Sequence, residues 1–428
     1  MTPPSALHCD VDADVLIIGA GLAGLAAARE VTLQGRHALV LESSDDVGGR
    51  VRTDVVDGMR LDRGFQLFNP SYPEARRVLD LDALDLCSFT AGVDVRLDSG
   101  HAVLADPRTA PGLAWASLTA AVGSGRSKLR FVAYAASRAT RSPASLRAEE
   151  DTTSLIALRR AGIDERMIDS LLRPFLAGVF LEDRLETSRR FLDLVLRSFV
   201  RGTPCVPALG MGAIPAQLAG ALPAGTVRLG STVTRVSATQ VECQGQILTA
   251  PAVIVAADPV AAGRLLPGIG VPEGRAVTTF YHLAHIDREA ITRGRPILVV
   301  DGRGRGPLVN AVALTHAARS YAPDGWVLVS SSTLGVADTR DAELGARDHL
   351  ADLLGIPPSV LEHVATRPIP YALPAMDSPL NLRRPVEIEP GLYAAGDHRD
   401  TASIQGALVS GRRAAEAACA HLNRRSRS

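Results

Sequence analysis

The chain has 428 residues, which is long enough to bury a large core and to form two domains, or one domain with a large insertion. Lysine plus arginine and aspartate plus glutamate both number 46, so the zero formal net charge does not indicate nucleic-acid binding. The five cysteines are scattered without a C-x-x-C pair, which predicts a reducing compartment, no disulfide framework and no cysteine metal site.

The first predicted element is a strand followed by a glycine turn and a helix. Residues 15–18 form the apolar run of a buried parallel strand, and Gly19, Gly21 and Gly24 follow it. Gly19 permits the tight turn, Gly21 lets the backbone approach a pyrophosphate, and Gly24 lets the helix pack against the strand. The predicted helix at 22–34 directs free N–H groups and a positive dipole end towards the phosphates. This pattern predicts a dinucleotide-binding turn.

The next predicted strand, residues 38–41, ends at Glu42. An acid ~20 residues after the glycines can accept both ribose hydroxyls, and it disfavours the 2′-phosphate of NADP. Gly48-Gly49-Arg50 follows. Together with Glu42 it resembles the second fingerprint of the FAD superfamily that contains flavin amine oxidases, protoporphyrinogen oxidases and phytoene-type desaturases. In that family the glycine pair packs on the diphosphate, and the arginine lies near the diphosphate and the flavin.

The stretch that follows contains further features. Gly64 and Phe65 belong to a segment that resembles the family's D-x-G stretch, which passes near the flavin. Apolar residues that alternate with charged ones, followed by a turn, predict a hairpin at 93–104. Residues 107–199 show helical periodicity. The basic segment 126–147 has interleaved apolar residues. It fits a helix with a solvated face over the core, the more usual arrangement, or a peripheral membrane contact.

Residues 173–181 and 207–215 resemble the middle of the desaturase-like branch, in which a Gly-Met-Gly stretch opens a helix. A strand is predicted over 226–236. The resemblance implies that the backbone of Val233 holds the adenine. A further buried strand is predicted at 252–256.

A second sheet is predicted from strands at 277–286 and 326–331. His282 and His285 are three residues apart in a strand and so face opposite sides, which excludes them as a metal pair. With Arg63 and Tyr371 they are the polar groups that could line a pocket, although core or surface roles are expected. No catalytic residue and no metal ligand is assigned.

The carboxyl-terminal segment contains the last motif. A strand at 392–395 ends at Gly396-Asp397, and a helix with small residues on one face follows from 403. In the family the matching aspartate accepts a ribityl hydroxyl, and the helix N-terminus at Gly406-Ala407 is directed at flavin N1/O2. A positive helix end stabilises the anionic reduced flavin.

These motifs predict an α/β fold (α+β overall). It comprises a Rossmann-like FAD-binding domain of the glutathione-reductase-2 or amine oxidase type, and a substrate domain with a mixed sheet and a helical insertion. The FAD-binding domain is predicted at 12–68, 204–262 and 386–424, and the substrate domain at 69–203 and 263–385, with the insertion at about 107–200. The residues assigned to the cofactor are Gly19, Gly21, Leu22, Ala23, Gly24, Glu42, Gly48, Gly49, Arg50, Gly64, Phe65, Val233, Gly396, Asp397, Gln405, Gly406 and Ala407.

The resemblance implies non-covalent FAD that takes a hydride at N5 from a C–H of a lipophilic or amine-bearing small molecule. Oxygen or a quinone-like acceptor would reoxidise it. Many flavin amine oxidases use a lysine beside N5, but the only lysine here, Lys128, lies in the helical insertion. Several also carry an aromatic residue before the last helix, where this chain has Ser403-Ile404. Residues 368–376 resemble a segment of desaturases and protoporphyrinogen oxidases, which favours a lipophilic, unsaturated or ring-bearing substrate.

Two other functions fit the same fold. One is a non-redox polyene isomerase that needs reduced FAD. The other is a non-catalytic binding protein like the GDP-dissociation inhibitors. Residues 1–12 lack the apolar core of a signal peptide, and no apolar run reaches transmembrane length. We therefore expect a cytoplasmic protein with a possible peripheral membrane contact.

Overall fold

The computed structural model describes residues 12–427, so most of the segment on which the signal-peptide prediction rests lies outside the described residues. The chain divides into two compact units. Unit 1 comprises Met1–Gly49, Pro215–Pro272 and Arg383–Ser428, and unit 2 comprises Arg50–Ile214 and Glu273–Leu382. Residues 50–68 and 204–214 therefore cluster with unit 2, whereas the sequence division placed them with the cofactor domain. The assignment of the units to FAD and to substrate remains a prediction.

The helices and strands that position the site come from all parts of the described chain. The strands are Val15–Ile18 (β1), Ala38–Leu41 (β2), Thr53–Val56 (β3), Met59–Asp62 (β4), Leu86–Ser88 (β5), Gly92–Leu97 (β6), Gly100–Ala105 (β7), Cys205–Pro207 (β8), Val227–Arg228 (β9), Val233–Val236 (β10), Gln240–Cys243 (β11), Gln246–Thr249 (β12), Ala252–Val255 (β13), Gly274–Ala284 (β14), Leu298–Asp301 (β15), Leu308–Ala313 (β16), Val327–Leu334 (β17), Leu361–Pro374 (β18), Glu387–Glu389 (β19) and Leu392–Ala394 (β20). The α-helices are Leu22–Leu33 (α1), Pro73–Val78 (α2), Ala114–Thr119 (α3), Gly125–Thr140 (α4), Pro143–Ala148 (α5), Ser154–Arg160 (α6), Glu165–Met167 (α7), Arg173–Phe180 (α8), Arg189–Arg201 (α9), Ala213–Gly220 (α10), Pro259–Leu265 (α11), Leu314–Ala317 (α12), Arg340–Leu354 (α13) and Ile404–Arg425 (α14), with a π-helical turn at Ile168–Leu172. Short 3-10 turns lie at Pro111–Leu113, Arg288–Ala290, Thr292–Gly294, Arg319–Tyr321, Pro358–Val360 and Asp397–Arg399.

Unit 1 is built on a six-stranded sheet in the order β19-β20-β13-β1-β2-β9. All neighbouring strands are parallel except β19, which pairs antiparallel with β20. The central strands β1, β2 and β13 are fully buried, as the continuous apolar runs predict. A three-stranded antiparallel sheet, β10-β11-β12, belongs to the same unit.

Helices α1 and α14 of unit 1 pack against each other through small residues. A Cβ on Gly411 would lie 2.1 Å from the carbonyl oxygen of Ala23, so only glycine permits this approach. The first and last segments of the chain therefore meet at the end of β1, where the glycine turn lies.

Unit 2 contains a seven-stranded mixed sheet in the order β18-β14-β17-β16-β15-β6-β7. One side of this sheet packs with α13 in an apolar core that includes Phe280, Val329 and Leu350. The predicted hairpin is confirmed, because β6 and β7 pair antiparallel. Most of the segment from Pro111 to Arg201 is helical, as its periodicity predicts. The mixed α/β fold class is confirmed.

Three local predictions need correction. The strand expected over 226–236 is two short strands in different sheets, because Gly230 turns the chain with a φ of +63°. The basic segment 126–147 is not one helix, because the chain leaves helical geometry at Arg141 and α5 starts again at Pro143. The strand β14 ends at Ala284, so His285 lies beyond it.

Within residues 12–427, no helix combines the length and the apolar composition that crossing a bilayer requires.

Candidate functional site

The glycine turn after β1 presents its backbone without side chains. Gly19 has a φ of +99°, a conformation that favours glycine. A Cβ on Gly24 would lie only 1.9 Å from the carbonyl oxygen of Gly19, so the helix can approach the strand only with glycine there. The N-cap of α1 is Gly21, which has no side chain to accept from the first amides. The N–H groups of Leu22 and Ala23 therefore remain available for an anion.

The space in front of this turn is open. A Cβ on Gly21 would meet no atom within 4 Å. Gly48 lies beside it: a parallel β-bridge joins Gly48 to Gly21, and the Gly48 amide donates to the Ala20 carbonyl at 2.8 Å. Gly49 has a φ of +60°, and a Cβ there would lie 3.6 Å from the Gly21 Cα. The two glycine motifs thus lie backbone to backbone, and this cradle fits a pyrophosphate.

The carboxylate of Glu42 is held against the glycine turn. It is buried, and its Oε2 accepts the backbone amide of Ala20 at 2.7 Å. Its Oε1 accepts the amide of Ser44 at 2.9 Å and the Ser44 hydroxyl at 2.7 Å. Because a carboxylate offers about four acceptor positions, Oε2 retains capacity for a ribose hydroxyl.

The chain before Val233 runs along the same edge. The amide of Glu42 donates to Arg228 O at 2.9 Å, and the amide of Ser231 donates to Glu42 O at 2.7 Å. Val233 begins β10 two residues later and is half-buried. The backbone of Val233 therefore lies two residues from the hydrogen bond between Ser231 and Glu42, and its contact with an adenine remains a prediction.

The last motif is built around a buried turn. Gly396 follows β20 with a φ of +145°, and its amide donates to the Ser410 hydroxyl at 2.9 Å. Asp397 comes next and is only 4% exposed. The hydrogen bond to Ser410 ties this turn to α14, so the turn that carries Asp397 is fixed to the last helix.

The first turn of α14 differs in detail from the expectation. The helix begins at Ile404, and Ser403 caps it: the Ser403 hydroxyl accepts the Gly406 amide at 3.1 Å. The amide of Ala407 donates to Ser403 O at 3.0 Å. The N–H groups of Gly406 and Ala407 are therefore already used. These residues could act on a flavin through the positive end of the helix, and Gln405 is half-buried in the same turn.

Three predicted cofactor residues belong to unit 2. The guanidinium of Arg50 donates to the Ala372 carbonyl at 2.7 Å. A Cβ on Gly64 would lie 2.5 Å from Ile369, and the amide of Phe65 donates to the Thr279 hydroxyl at 3.1 Å. These contacts hold Arg50, Gly64 and Phe65 against the β14–β18 edge of the seven-stranded sheet.

A buried carboxyl group outside the predicted cofactor residues organises this part of unit 2. Asp62 accepts hydrogen bonds from the Thr53 hydroxyl at 2.5 Å, the Met211 amide at 2.9 Å and the Tyr321 hydroxyl at 2.8 Å. Burial raises its pKa, and these hydrogen bonds oppose that rise. Asp62 thereby fixes the Gly-Met-Gly turn to the hairpin that precedes Gly64. The sequence signal was an acid at the end of a short strand, in the D-x-G stretch before Gly64.

The polar residues considered for a pocket have structural partners. His282 is fully buried, and its Nε2 lies 3.2 Å from Glu343 Oε1 on α13. His285 lies 2.7 Å from Glu362, and Arg63 pairs with Asp54 at 3.0 Å. These partners favour the expected core and surface roles.

Lys128, the sole lysine of the sequence, also has a structural role. Its ammonium group donates to the carbonyl oxygens of Ser117 at 3.3 Å, Leu118 at 2.8 Å and Ala120 at 2.5 Å. Because all three donors of the ammonium have partners, Lys128 binds the carboxyl end of α3. Burial lowers its pKa.

Comparison with known proteins places the chain in a family. The profile described as "Flavin containing amine oxidoreductase" matches residues 22–419. A putrescine oxidase from Kocuria rosea is 43% identical over 70 residues, which cover 16% of this chain and 15% of that protein. A coproporphyrinogen III oxidase from Propionibacterium freudenreichii is 35% identical over 77 residues, 18% of this chain and 14% of that protein. The first curated relatives are likewise matched over only 13% of their length.

A solved structure shows the same fold over nearly the whole chain. An oxidoreductase from Methanosarcina mazei superimposes with a TM-score of 0.73 at 18% identity, covering 94% of this chain and 99% of that one. The structural likeness and the family profile agree with the two glycine motifs and the buried Gly396-Asp397 turn of unit 1. The chain therefore belongs to the flavin-containing amine oxidoreductase family, with FAD as its cofactor.

Proposed function

We propose that this protein is an FAD-dependent oxidoreductase that oxidises a C–H bond of a small molecule. The observation that carries the proposal is the cradle formed by Gly21, Gly48 and Gly49, with the Glu42 carboxylate fixed to the same turn at Ala20. When bound, FAD accepts a hydride from a substrate C–H at N5. The chain's own residues would bind and orient the cofactor.

Different parts of FAD would be bound by different residues of the chain. The amides of Leu22 and Ala23 would bind the diphosphate, and Glu42 would accept from the ribose hydroxyls. Asp397 would accept from the ribityl chain. The positive end of the α14 dipole would favour negative charge on the reduced flavin.

The substrate is proposed to be lipophilic, and unsaturated or ring-bearing. An amine is the less favoured substrate, because the chain lacks two features common in flavin amine oxidases. Lys128 is bound to three carbonyl oxygens at the end of α3 and cannot hold a water beside a flavin. The residues at the start of α14 are Ser403, its N-cap, and Ile404, and neither can form an aromatic cage for a cation.

Anaerobic flavin bleaching tests the proposal. The purified holoprotein is mixed without oxygen with an amine (putrescine), a porphyrinogen (coproporphyrinogen III) and a conjugated polyene. We expect loss of the oxidised-flavin absorbance with the porphyrinogen or the polyene, and restoration when oxygen or a quinone is added. Bleaching by the amine alone would overturn the substrate proposal. Bleaching by none of the three would leave only FAD binding.

The same purified protein also tests a second candidate function. If the protein is a reduced-FAD polyene isomerase, the oxidised holoprotein leaves the polyene unchanged. After chemical reduction, it would change the double-bond geometry without net oxidation. A protein that is colourless, and remains so with added FAD, would instead support a binding role like that of the GDP-dissociation inhibitors.

A further inference from the structure

Unit 2 exposes a group of large apolar side chains on two neighbouring helices. Trp115 and Leu118 on α3 are 75% and 67% exposed, and Leu129 and Val132 on α4 are 70% and 61% exposed. We call these four residues the α3–α4 face. Single exposed apolar residues are common, but adjacent ones of this size mark a surface that contacts something apolar.

The carboxyl end of α3 is tied to the amino end of α4. Lys128, in the first turns of α4, donates to Leu118 O at 2.8 Å and to Ala120 O at 2.5 Å. These bonds bring the carboxyl end of α3 against the amino end of α4. Leu118 and Leu129 therefore flank this contact, which is made by the only lysine of the sequence.

The polarity of α4 is the reverse of that of an ordinary surface helix. Its inward side carries Tyr134, whose hydroxyl donates to Asp193 at 2.6 Å, and Arg138, which pairs with Asp193 at 3.2 Å. Its outward side carries the exposed residues Leu129, Val132, Ala133 and Ala136. At spacings of three and four residues these form one apolar stripe. The stripe faces away from the core of the unit, so the core does not account for it.

The charged side chains of α3 and α4 are all cationic; Arg138 is buried against Asp193, and the Asp164 carboxylate accepts the Ser124 amide at the amino end of α4 at 3.0 Å. Helices α3 and α4 contain four cations, Arg126, Lys128, Arg130 and Arg138, and no carboxylate. The whole stretch 107–148 lacks aspartate and glutamate, although acidic and basic residues are equal in number over the chain as a whole. Arg126 is exposed in the first turn of α4, beside Leu129. Two copies of this face brought together would place like charges opposite each other, whereas an anionic surface would neutralise them.

We propose that the α3–α4 face docks on the surface of an anionic lipid bilayer. Tryptophan is favoured at the membrane interface, and leucine and valine insert at the level of the acyl boundary. Arg126 can extend its charged group to the headgroups while its stem lies along the apolar surface. The proposal rests on the surface of unit 2 alone and is independent of the substrate proposed above.

Vesicle co-sedimentation of the full-length, FAD-loaded protein tests this assignment. One set of vesicles is equimolar phosphatidylcholine and phosphatidylglycerol, and the other is phosphatidylcholine alone. We expect binding to the anionic vesicles that weakens as salt is raised, and much weaker binding to the neutral ones. Leu129→Ser should weaken partitioning about tenfold, because the transfer free energy of one leucine is lost.

A matched control is available elsewhere on the surface. Ile247 is 65% exposed on β12 in unit 1, away from the α3–α4 sequence. Ile247→Ser should leave vesicle binding unchanged. Arg126→Glu should weaken binding to anionic vesicles about tenfold or more, and should not alter binding to neutral ones. Retained flavin absorbance in each variant shows that the protein is folded.

Tryptophan fluorescence gives a local measurement. The chain has two tryptophans, so Trp326→Phe leaves Trp115 as the sole reporter. We expect its emission to shift to shorter wavelength with anionic vesicles and to be quenched by brominated lipid. The proposal is overturned if Trp115 does not respond, if Leu129→Ser binds as well as the unmodified protein, or if Leu129→Ser instead halves the mass in sedimentation velocity. The last result would assign the face to a second copy of the chain.

Discussion

Replacing Glu42 with glutamine should weaken FAD binding without unfolding unit 1. The carboxylate is buried against the glycine turn, with Oε2 on the Ala20 amide and Oε1 on Ser44. Glutamine has nearly the same shape but only one accepting oxygen and no charge. It can serve either the protein amide or the ribose hydroxyl, and its NH2 group faces a donor at the other position.

The size of the effect follows from the charge of the acceptor. A hydrogen bond to a charged group contributes about 1.5–3 kcal/mol. The loss of one such bond to the ribose, about 2 kcal/mol, corresponds to roughly a 30-fold increase in Kd. Glu42→Ala should weaken FAD binding further, because the buried amide of Ala20 then also loses its acceptor.

The assay is titration of the apoprotein with FAD, followed by quenching of flavin fluorescence. The matched control is Glu30→Gln, in α1 of the same unit, where Glu30 pairs with Gln34. This variant should leave the Kd for FAD unchanged. An unchanged Kd for Glu42→Gln would refute the ribose assignment. An equal loss in both variants would point to a general effect of lowered negative charge.

Three further predictions concern the framework around the site. Gly24→Ala places a Cβ 1.9 Å from the carbonyl oxygen of Gly19 and should lower the free energy of unfolding by about 3 kcal/mol or more. Gly345→Ala, in α13, places its Cβ where no atom lies within 4 Å and should raise the free energy of unfolding by up to about 1 kcal/mol. Urea unfolding measures both changes. Lys128→Met should lower the unfolding free energy by about 1–3 kcal/mol and leave the rate of flavin reduction unchanged, and a selective loss of that rate would contradict its structural role. Burial lowers the pKa of His282 from 6.5 to about 4, so the stability that neutral His282 contributes is present above about pH 6.5 and is lost as the pH falls through about 4. In His282→Gln the fall in unfolding free energy between pH 6.5 and 4 should be smaller by about 2–3 kcal/mol. The same pH dependence in the variant and the unmodified protein would contradict a lowered pKa for His282.

The part of the fold that local physics determines could be predicted from the sequence. The strand at 15–18 and the helix from 22 were predicted to within a residue, because a dinucleotide turn needs its glycines at fixed positions. The strand that ends before Glu42 was equally clear. In each case the signal lies within about a dozen neighbouring residues.

The contacts that join distant residues could not be predicted. Asp62 accepts from Met211, which is 149 positions away, and from Tyr321, which is 259 positions away. No local pattern indicates which partners a buried acid will find. In the sequence Asp62 is only the acid of the D-x-G stretch before Gly64, although in the structure it holds three segments of unit 2 together.

The sequence also could not predict which side of the basic helix α4 faces the core. Periodicity shows that α4 has an apolar and a polar side, but it does not show which side faces the core. The expected arrangement places leucine inward. The structure places Arg138 inward with Asp193 and leaves Leu129 exposed, because a buried ion pair with hydrogen-bond partners can replace apolar contacts in the core.

The flavin content of the purified protein tests the central claim most directly. The protein is denatured, and the released flavin is identified and counted against the chain. We expect one FAD per chain, released without proteolysis because it is not covalently attached to the protein. The FAD content of Glu42→Gln should be lower, in line with its weakened affinity. A protein that contains no flavin and takes up none from added FAD would contradict the central claim.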